Sequence, residues 1–448
     1  MAARTPQTYL DVADAAWRWV LDQVGWDDGP WFPGIVDPAA DPAAVPEIPE
    51  DRDSLHSGVG GLAHVLAEIR LARPWTAEEQ RLADGIVERL RAEAATRTDS
   101  TYFDGLVSDI GALSALDAPG TDAAVARLSE LATPDGWPQA IVVPPRALPD
   151  SRIDDVTLGT AGVLLGALWC RQRDVPGAEP LAQHAVEVLL AEAEETPTGT
   201  NWRFVPQRFY VEGGNTQMPN FSHGLAGIAA ALAVAGAELD RPDVVEAARS
   251  GAAHLLSLAE VSDEGLRVPR YLPTDLNDED EFTYTWCHGT AGTSLLFTAL
   301  DRAGVAEVSG ERPLDWHRRC LHGIRTSGLP ERLYPGFWDN DGRCCGTAGV
   351  ADVFLDSWQR AGHAPDLEFA LHLADVLVER AVREGPHACW RFIEHRADDP
   401  LLPPRVGWMQ GAAGIAAVLF RAARLLREGD DAACLPRLDT WWALPPAT

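Results

Sequence analysis

The chain has 448 residues, 46% apolar and 23% charged, with a formal net charge of −30. That is a globular composition with ample length for a large core. So acidic a surface repels phosphate backbones and argues against nucleic acid or anionic membrane as partners. The N-terminal segment MAARTPQTYLDVADAAWRWVL lacks a basic region ahead of an apolar run, so it reads as a helix over about residues 8–24 and not as a signal peptide. No apolar stretch is long enough to span a membrane. Seven scattered cysteines do not resemble a disulfide framework, and a reducing cytoplasm is the expected location.

From residue 55 onward one pattern recurs: a small residue, two others and a second small residue opening an Ala/Leu/Val-rich run. It reads SGVGGLAHVLAEI from Ser57, DGLVSDIGALSAL from Asp104 and LGTAGVLLGALW from Leu158. It returns as HGLAGIAAALAV from His223, HGTAGTSLLFTAL from His288, CGTAGVADVFLDSW from Cys345 and QGAAGIAAVLFRAA from Gln410. The first glycine of the copies falls at 58, 105, 159, 224, 289, 346 and 411, and Ser108 stands where the second copy's second glycine belongs. These runs are apolar on nearly all sides and predict buried helices. Runs at 77–94, 178–195, 241–259 and 366–384 have apolar residues at three- and four-residue spacing and predict half-exposed helices. Buried and outer helices in alternation, without an evident capping repeat, predict an all-α fold: a closed α/α toroid of seven inner and seven outer helices. The expected organisation is a single domain over 1–448, with repeats from about 55 to 427 and a C-terminal tail at 428–448.

In such a ring the helix starts converge at one end. Free N–H groups and positive dipole ends are expected to line a central cavity there and to favour thiolates and oxyanions. Irregular stretches at 134–156, 197–222, 263–285, 327–343 and 385–409 precede the motifs and would roof the same end.

Three copies carry residues beyond those packing requires. Cys287 and His288 sit in TWCHGTAG, Cys344 and Cys345 in RCCGTAG, and His223 in NFSHGLAG. Three thiols near one point form a soft-metal site with an open fourth position, for which zinc is the default. The alternative is small core cysteines, the reading adopted for Cys170, Cys320, Cys389 and Cys434. His223 reads either as a buried histidine bonded to a loop carbonyl or as a functional group. Asp155 in DDVTLGTAG reads as a helix cap or as a site residue. His288 reads as an acid, a ligand or a gatekeeper, and His56 as a polar neighbour. Asp154 and Asp155 are adjacent and point apart, which does not make the paired carboxylates of a glycosidase.

With the seven glycine repeats, WCHG, CCG, SHGLAG and the DVxxGxxG run at Asp155, the chain from about 55 to 427 resembles the lanthionine synthetase C-like family, the cyclases of lanthipeptide biosynthesis. The resemblance implies an α/α toroid holding zinc, with Cys287 and Cys344 as ligands and Cys345 in place of the usual histidine. It implies Michael-type addition of peptide cysteine thiols to dehydroalanine or dehydrobutyrine, with His223 delivering a proton and Asp155 orienting or assisting. Two positions depart from the family pattern: Thr283 stands where arginine is usual, and His288 where tyrosine is usual. No dehydratase or kinase-like region is attached, so a separate enzyme would make the dehydrated precursor peptide. Glutathione addition to dehydroamino acids and a non-catalytic peptide-binding scaffold are the alternatives.

Overall fold

The computed structural model describes residues 5–37, 39, 47–211, 216–274, 281–331, 340–394 and 398–445. Parts of four expected roof stretches (212–215, 275–280, 332–339 and 395–397) and the last three residues of the tail lie outside these. Among the described residues there are fourteen α-helices, and none is long and apolar enough to cross a membrane.

All seven motif runs are helices: α2 (Val59–Ala72), α4 (Leu106–Ala115), α6 (Thr160–Arg171), α8 (Leu225–Glu238), α10 (Thr290–Arg302), α12 (Thr347–Ala361) and α14 (Ala412–Glu428). In α8 every residue from Leu225 to Gly236 is buried. The four amphipathic runs form α3 (Ala77–Glu93), α7 (Ala178–Ala191), α9 (Pro242–Leu258) and α13 (Ala364–Arg380), and two further helices of this kind are α5 (Thr121–Leu131) and α11 (Pro313–Thr326). These bury one face, as Val244, Ala248, Gly251, Ala252 and Leu255 do in α9. That makes six outer helices. The seventh is the N-terminal helix α1 (Pro6–Leu21), which packs along α14. Its Trp17 donates to Glu79 at 2.8 Å and its Tyr9 to Asp375 at 2.6 Å.

Backbone contacts divide the chain into two compact units. One comprises 1–93, 111–119 and 330–437, the other 94–110, 120–329 and 438–448. Within the first, α2 packs on α3, α12 on α13 and α14 on α1; within the second, α6 packs on α7, α8 on α9 and α10 on α11. Short antiparallel hairpins follow three outer helices: β1–β2 (Glu194–Thr196, Gly199–Asn201), β3–β4 (Glu260–Ser262, Gly265–Arg267) and β5–β6 (His387–Cys389 against Val382–Glu384).

The glycines explain why each inner helix starts where it does. A Cβ on the second glycine would lie 2.2 Å from the carbonyl oxygen of Val156 at Gly162 and 1.9 Å from that of Phe221 at Gly227. At Gly292 it would lie 1.9 Å from the Trp286 oxygen, at Gly349 1.8 Å from the Arg343 oxygen and at Gly414 1.8 Å from the Trp408 oxygen. No side chain fits there. The preceding turn folds back over the helix start, and its carbonyls take the first N–H groups. Thr160, Ala161 and Gly162 donate to Ile153, Asp154 and Asp155, while Thr347, Ala348 and Gly349 donate to Asn340, Asp341 and Gly342. This corrects the expectation of free donors at these two helix starts: the orphan N–H groups are already satisfied by backbone.

Among the described residues, several buried side-chain polar atoms lack a hydrogen-bond partner, and His64 on α2 is the one imidazole in which both ring nitrogens do. Burial, with Arg437 and Arg343 nearby, pushes its pKa down to about 3. The unfolded chain therefore binds a proton near pH 6.5 that the folded chain refuses. The stability this represents is present above that pH and is lost as pH falls toward 3. We expect His64→Leu to lose less stability than the native chain between pH 7 and pH 5 in urea unfolding. Equal losses would contradict the buried neutral imidazole. Gly227→Ala should cost about 1–3 kcal/mol or more from overpacking. Gly34→Ala, where a Cβ meets nothing within 4 Å, should stay within about 0.5 kcal/mol.

Candidate metal centre and histidine pair

Because the turns are built alike, residues at equal offsets from the first glycine play equal parts. The residue just before the glycine is His223, His288 or Cys345 in the fourth to sixth copies, and the one before that is Ser222, Cys287 or Cys344. Cys287 is buried, while Cys344 and Cys345 are partly exposed. The Sγ atoms of Cys287, Cys344 and Cys345 all lie within 4.8 Å of one another, and this is the one group of at least three His, Cys, Asp or Glu side chains among the described residues with that geometry. The Cys344 and Cys345 sulfurs are 3.2 Å apart, and the Thr285 hydroxyl is 3.5 Å from the Cys287 sulfur. Arg343 and Cys344 both donate backbone N–H groups to the Met409 carbonyl, at 2.8 and 2.9 Å.

The other four cysteines differ. Burial pushes the Cys170 thiol up to about 12, the Cys389 thiol to about 11, and raises Cys320 and Cys434 too. Such thiols are poor nucleophiles and poor ligands.

His223 and Asp155 meet. The His223 Nδ1 lies 2.7 Å from Asp155 Oδ2, and the fully buried carboxylate also accepts from the Thr157 hydroxyl at 2.8 Å. Its Oδ1 takes the Leu158 backbone N–H at 2.7 Å. Asp155 therefore both caps its turn and holds the imidazole. A carboxylate only accepts, so Nδ1 carries the hydrogen and Nε2 is the ring atom left for chemistry.

His288 is held in the same way one repeat later. Asn220 donates its amide to the carbonyls of Pro269 and Arg270 at 3.3 Å each, so its Oδ1 faces the His288 Nδ1 at 3.2 Å. The two imidazoles lie 5.2 Å apart, and Phe204 meets His223 edge-on at 5.5 Å. Burial pushes the His288 pKa down to about 4; the Cys287 charge opposes this, and His223 and Arg270 add to it. Thr283 is fully buried, and its hydroxyl has no hydrogen-bond partner among the described residues. The His56 carbonyl accepts from the Met409 backbone N–H at 3.0 Å. The Asp154 carboxylate is buried beside Asp155 with no hydrogen-bond partner among the described residues, and burial, with Glu192 and Asp155 nearby, raises its pKa well above the ordinary range.

Thr157 and Asn220 were not among the sequence candidates. The signal was available: Asp155 and Asn220 both stand four residues before a motif glycine, and each orients the histidine of the following copy.

Asp155→Ala should release His223. In a long-range ¹H–¹⁵N spectrum the neutral ring should be the Nδ1–H tautomer in the native protein and predominantly Nε2–H in the variant. An unchanged tautomer would show that Asp155 does not set it.

A profile of the family described as "Lanthionine synthetase C-like protein" matches residues 49–426. No curated protein matches the sequence. Among solved structures, one titled "Nisin cyclase" matches with TM-score 0.56 at 15% identity, covering 83% of this chain and 88% of that one. A "sugar epimerase from ruminal bacterium" matches with TM-score 0.52 at 11% identity, covering 94% and 98%. At these identities the likeness is one of fold, and it assigns the α/α-toroid class expected from the repeats. A fold shared by a cyclase and an epimerase does not choose between their chemistries.

Proposed function

This chain belongs to the lanthionine synthetase C-like family, and from that premise we propose that it is a zinc-dependent cyclase. It would add peptide cysteine thiols to dehydroalanine or dehydrobutyrine and close (methyl)lanthionine rings in a ribosomally made peptide. The observation that carries this reading is the cluster of three thiols within 4.8 Å of one another. A tetrahedral zinc with bonds of about 2.3 Å needs sulfurs about 3.8 Å apart. The cluster meets that with small adjustments, and three thiolates suit zinc's preference for soft ligands. Cys287, Cys344 and Cys345 would hold the ion, leaving a fourth position open. Zinc, when bound, supplies Lewis acidity that makes a substrate thiolate available at neutral pH.

The chain's own residues handle the proton. His223, fixed by Asp155 and Thr157, presents Nε2 as the atom that takes the proton lost by the thiol. The same atom returns that proton to the α-carbon after the sulfur has bonded the β-carbon and the double-bond pair has moved into the enolate. Nothing is lost or gained, so substrate and product have equal mass. His288, kept uncharged by burial, adds an uncharged ring beside His223. On this reading the substrate peptide is already dehydrated when it is bound.

The test is incubation with a dehydrated, cysteine-containing peptide, with and without glutathione. Loss of free thiol at constant mass is the expected result. Gain of the mass of glutathione would replace cyclisation with intermolecular addition, and peptide binding without turnover would leave a scaffold. Cys287→Ala should lose both zinc and thioether formation. His223→Asn should keep its zinc and slow the reaction about 10²- to 10⁴-fold.

A further inference from the structure

The residue three before each motif glycine is an internal anchor. In six copies it is apolar: Leu55, Tyr102, Val156, Phe221, Trp286 and Trp408. All six are buried. In the sixth copy it is Arg343, the residue directly before Cys344, and it too is buried, at 7% exposure. An arginine at an apolar register position pays a desolvation cost unless its charge and donors are met.

They are met by a partner set that the other copies lack. The Arg343 guanidinium lies 2.5 Å from Asp352 Oδ2 on α12 and stacks 4.1 Å over the Trp408 ring. Gly414 makes room for its stem, since a Cβ there would lie 2.7 Å from the Arg343 Cδ. Its backbone N–H is bonded to Met409, and its carbonyl is clamped against Gly349. Asp352 is also shared with Arg421 at 2.5 Å and Arg437 at 2.7 Å. A buried ion pair of this kind adds little net stability over apolar packing, but its geometry is demanding. Its position, one residue from a thiol pair that must present two sulfurs together, gives that geometry a use.

We propose that Arg343, held by Asp352, is a positioning residue that fixes the Cys344–Cys345 turn and so aims its two thiols into the three-sulfur cluster. The part of this that concerns metal rests on the zinc reading above; the part that concerns the turn does not.

The test uses the full chain with Arg343→Met, Arg343→Lys and Arg437→Met. Methionine keeps an unbranched stem over Trp408 and leaves Asp352 its other two guanidiniums. Arg437→Met disturbs the same carboxylate without touching the turn. Zinc affinity is read by competition with a chromophoric chelator, and cobalt substitution reports the thiolate charge-transfer band. In metal-free protein, iodoacetamide alkylation of Cys344 and Cys345 is followed by peptide mass mapping, with Cys287 as the internal reference.

Arg343→Met should weaken zinc about tenfold or more, alter the cobalt band and speed alkylation of the pair relative to Cys287, with the unfolding midpoint unchanged. Arg343→Lys, which keeps the charge and loses the planar fork, should fall between, and Arg437→Met should match the native protein. Native zinc affinity and native alkylation in Arg343→Met would overturn the proposal. If that variant failed to fold, native values in Arg343→Lys would do the same. If the native chain bound no zinc, the metal reading would fall, and the alkylation rates alone would decide the positioning role.

Discussion

The close approach of a glycine to a carbonyl oxygen governs this molecule. In six of the seven motif copies the second glycine sits against the oxygen of the residue six positions earlier, at distances that exclude any side chain. The first glycine makes the same approach to the residue six before it, as Gly159 does to Ile153 and Gly346 to Asn340. Two such contacts in register bind a six-residue turn onto the helix it precedes, and the turn's carbonyls then replace the solvent or side-chain caps that a helix start usually needs. The turn is held by backbone, so its side chains are free to vary.

That freedom separates labour within the turn. The position three before the first glycine anchors the turn in the core, with Phe221 and Trp286 packed ring against ring at 5.5 Å. The two positions just before the glycine face the candidate site and carry the thiols and imidazoles. The position four before it orients a neighbour, as Asp155 and Asn220 do. Chemistry can be exchanged at such positions without refolding the frame, which fits a fold that also serves a sugar epimerase. The fourth to sixth copies show such variation, with His223, His288 and Cys345 at the same place in the turn.

This also explains what could be read from the amino-acid order. The seven inner helices were legible because a glycine pair and an apolar run are local signals. Most outer helices were legible from their spacing. The pairing of α1 with α14 was not, because nothing in either segment names a partner about four hundred residues away. The expectation of free donors at the helix starts failed because a glycine pair looks the same whether it admits another helix or the chain's own preceding turn. The hairpins of three-residue strands were too short for alternation to show. Cys287, Cys344 and Cys345 could be nominated from the motifs, but Thr157 and Asn220 looked like ordinary turn residues until their partners were in place.

The two orienting residues differ in one respect that decides how the histidine pair behaves. Asp155 carries a negative charge and Asn220 does not. The rings are 5.2 Å apart, so a charge on both would be repulsive in a site screened from water. A positive charge on His223 is offset by the carboxylate at 2.7 Å, whereas one on His288 would face an amide dipole and the nearby Arg270, with the Cys287 charge as its offset and burial as the larger effect against it. A positive charge is therefore better met beside Asp155 than beside Asn220. Both Nδ1 atoms are engaged by these orienting residues. On the proposed mechanism, an Asp and an Asn at equivalent positions of two consecutive repeats divide the pair into a proton-transferring ring and a neighbour kept uncharged by burial.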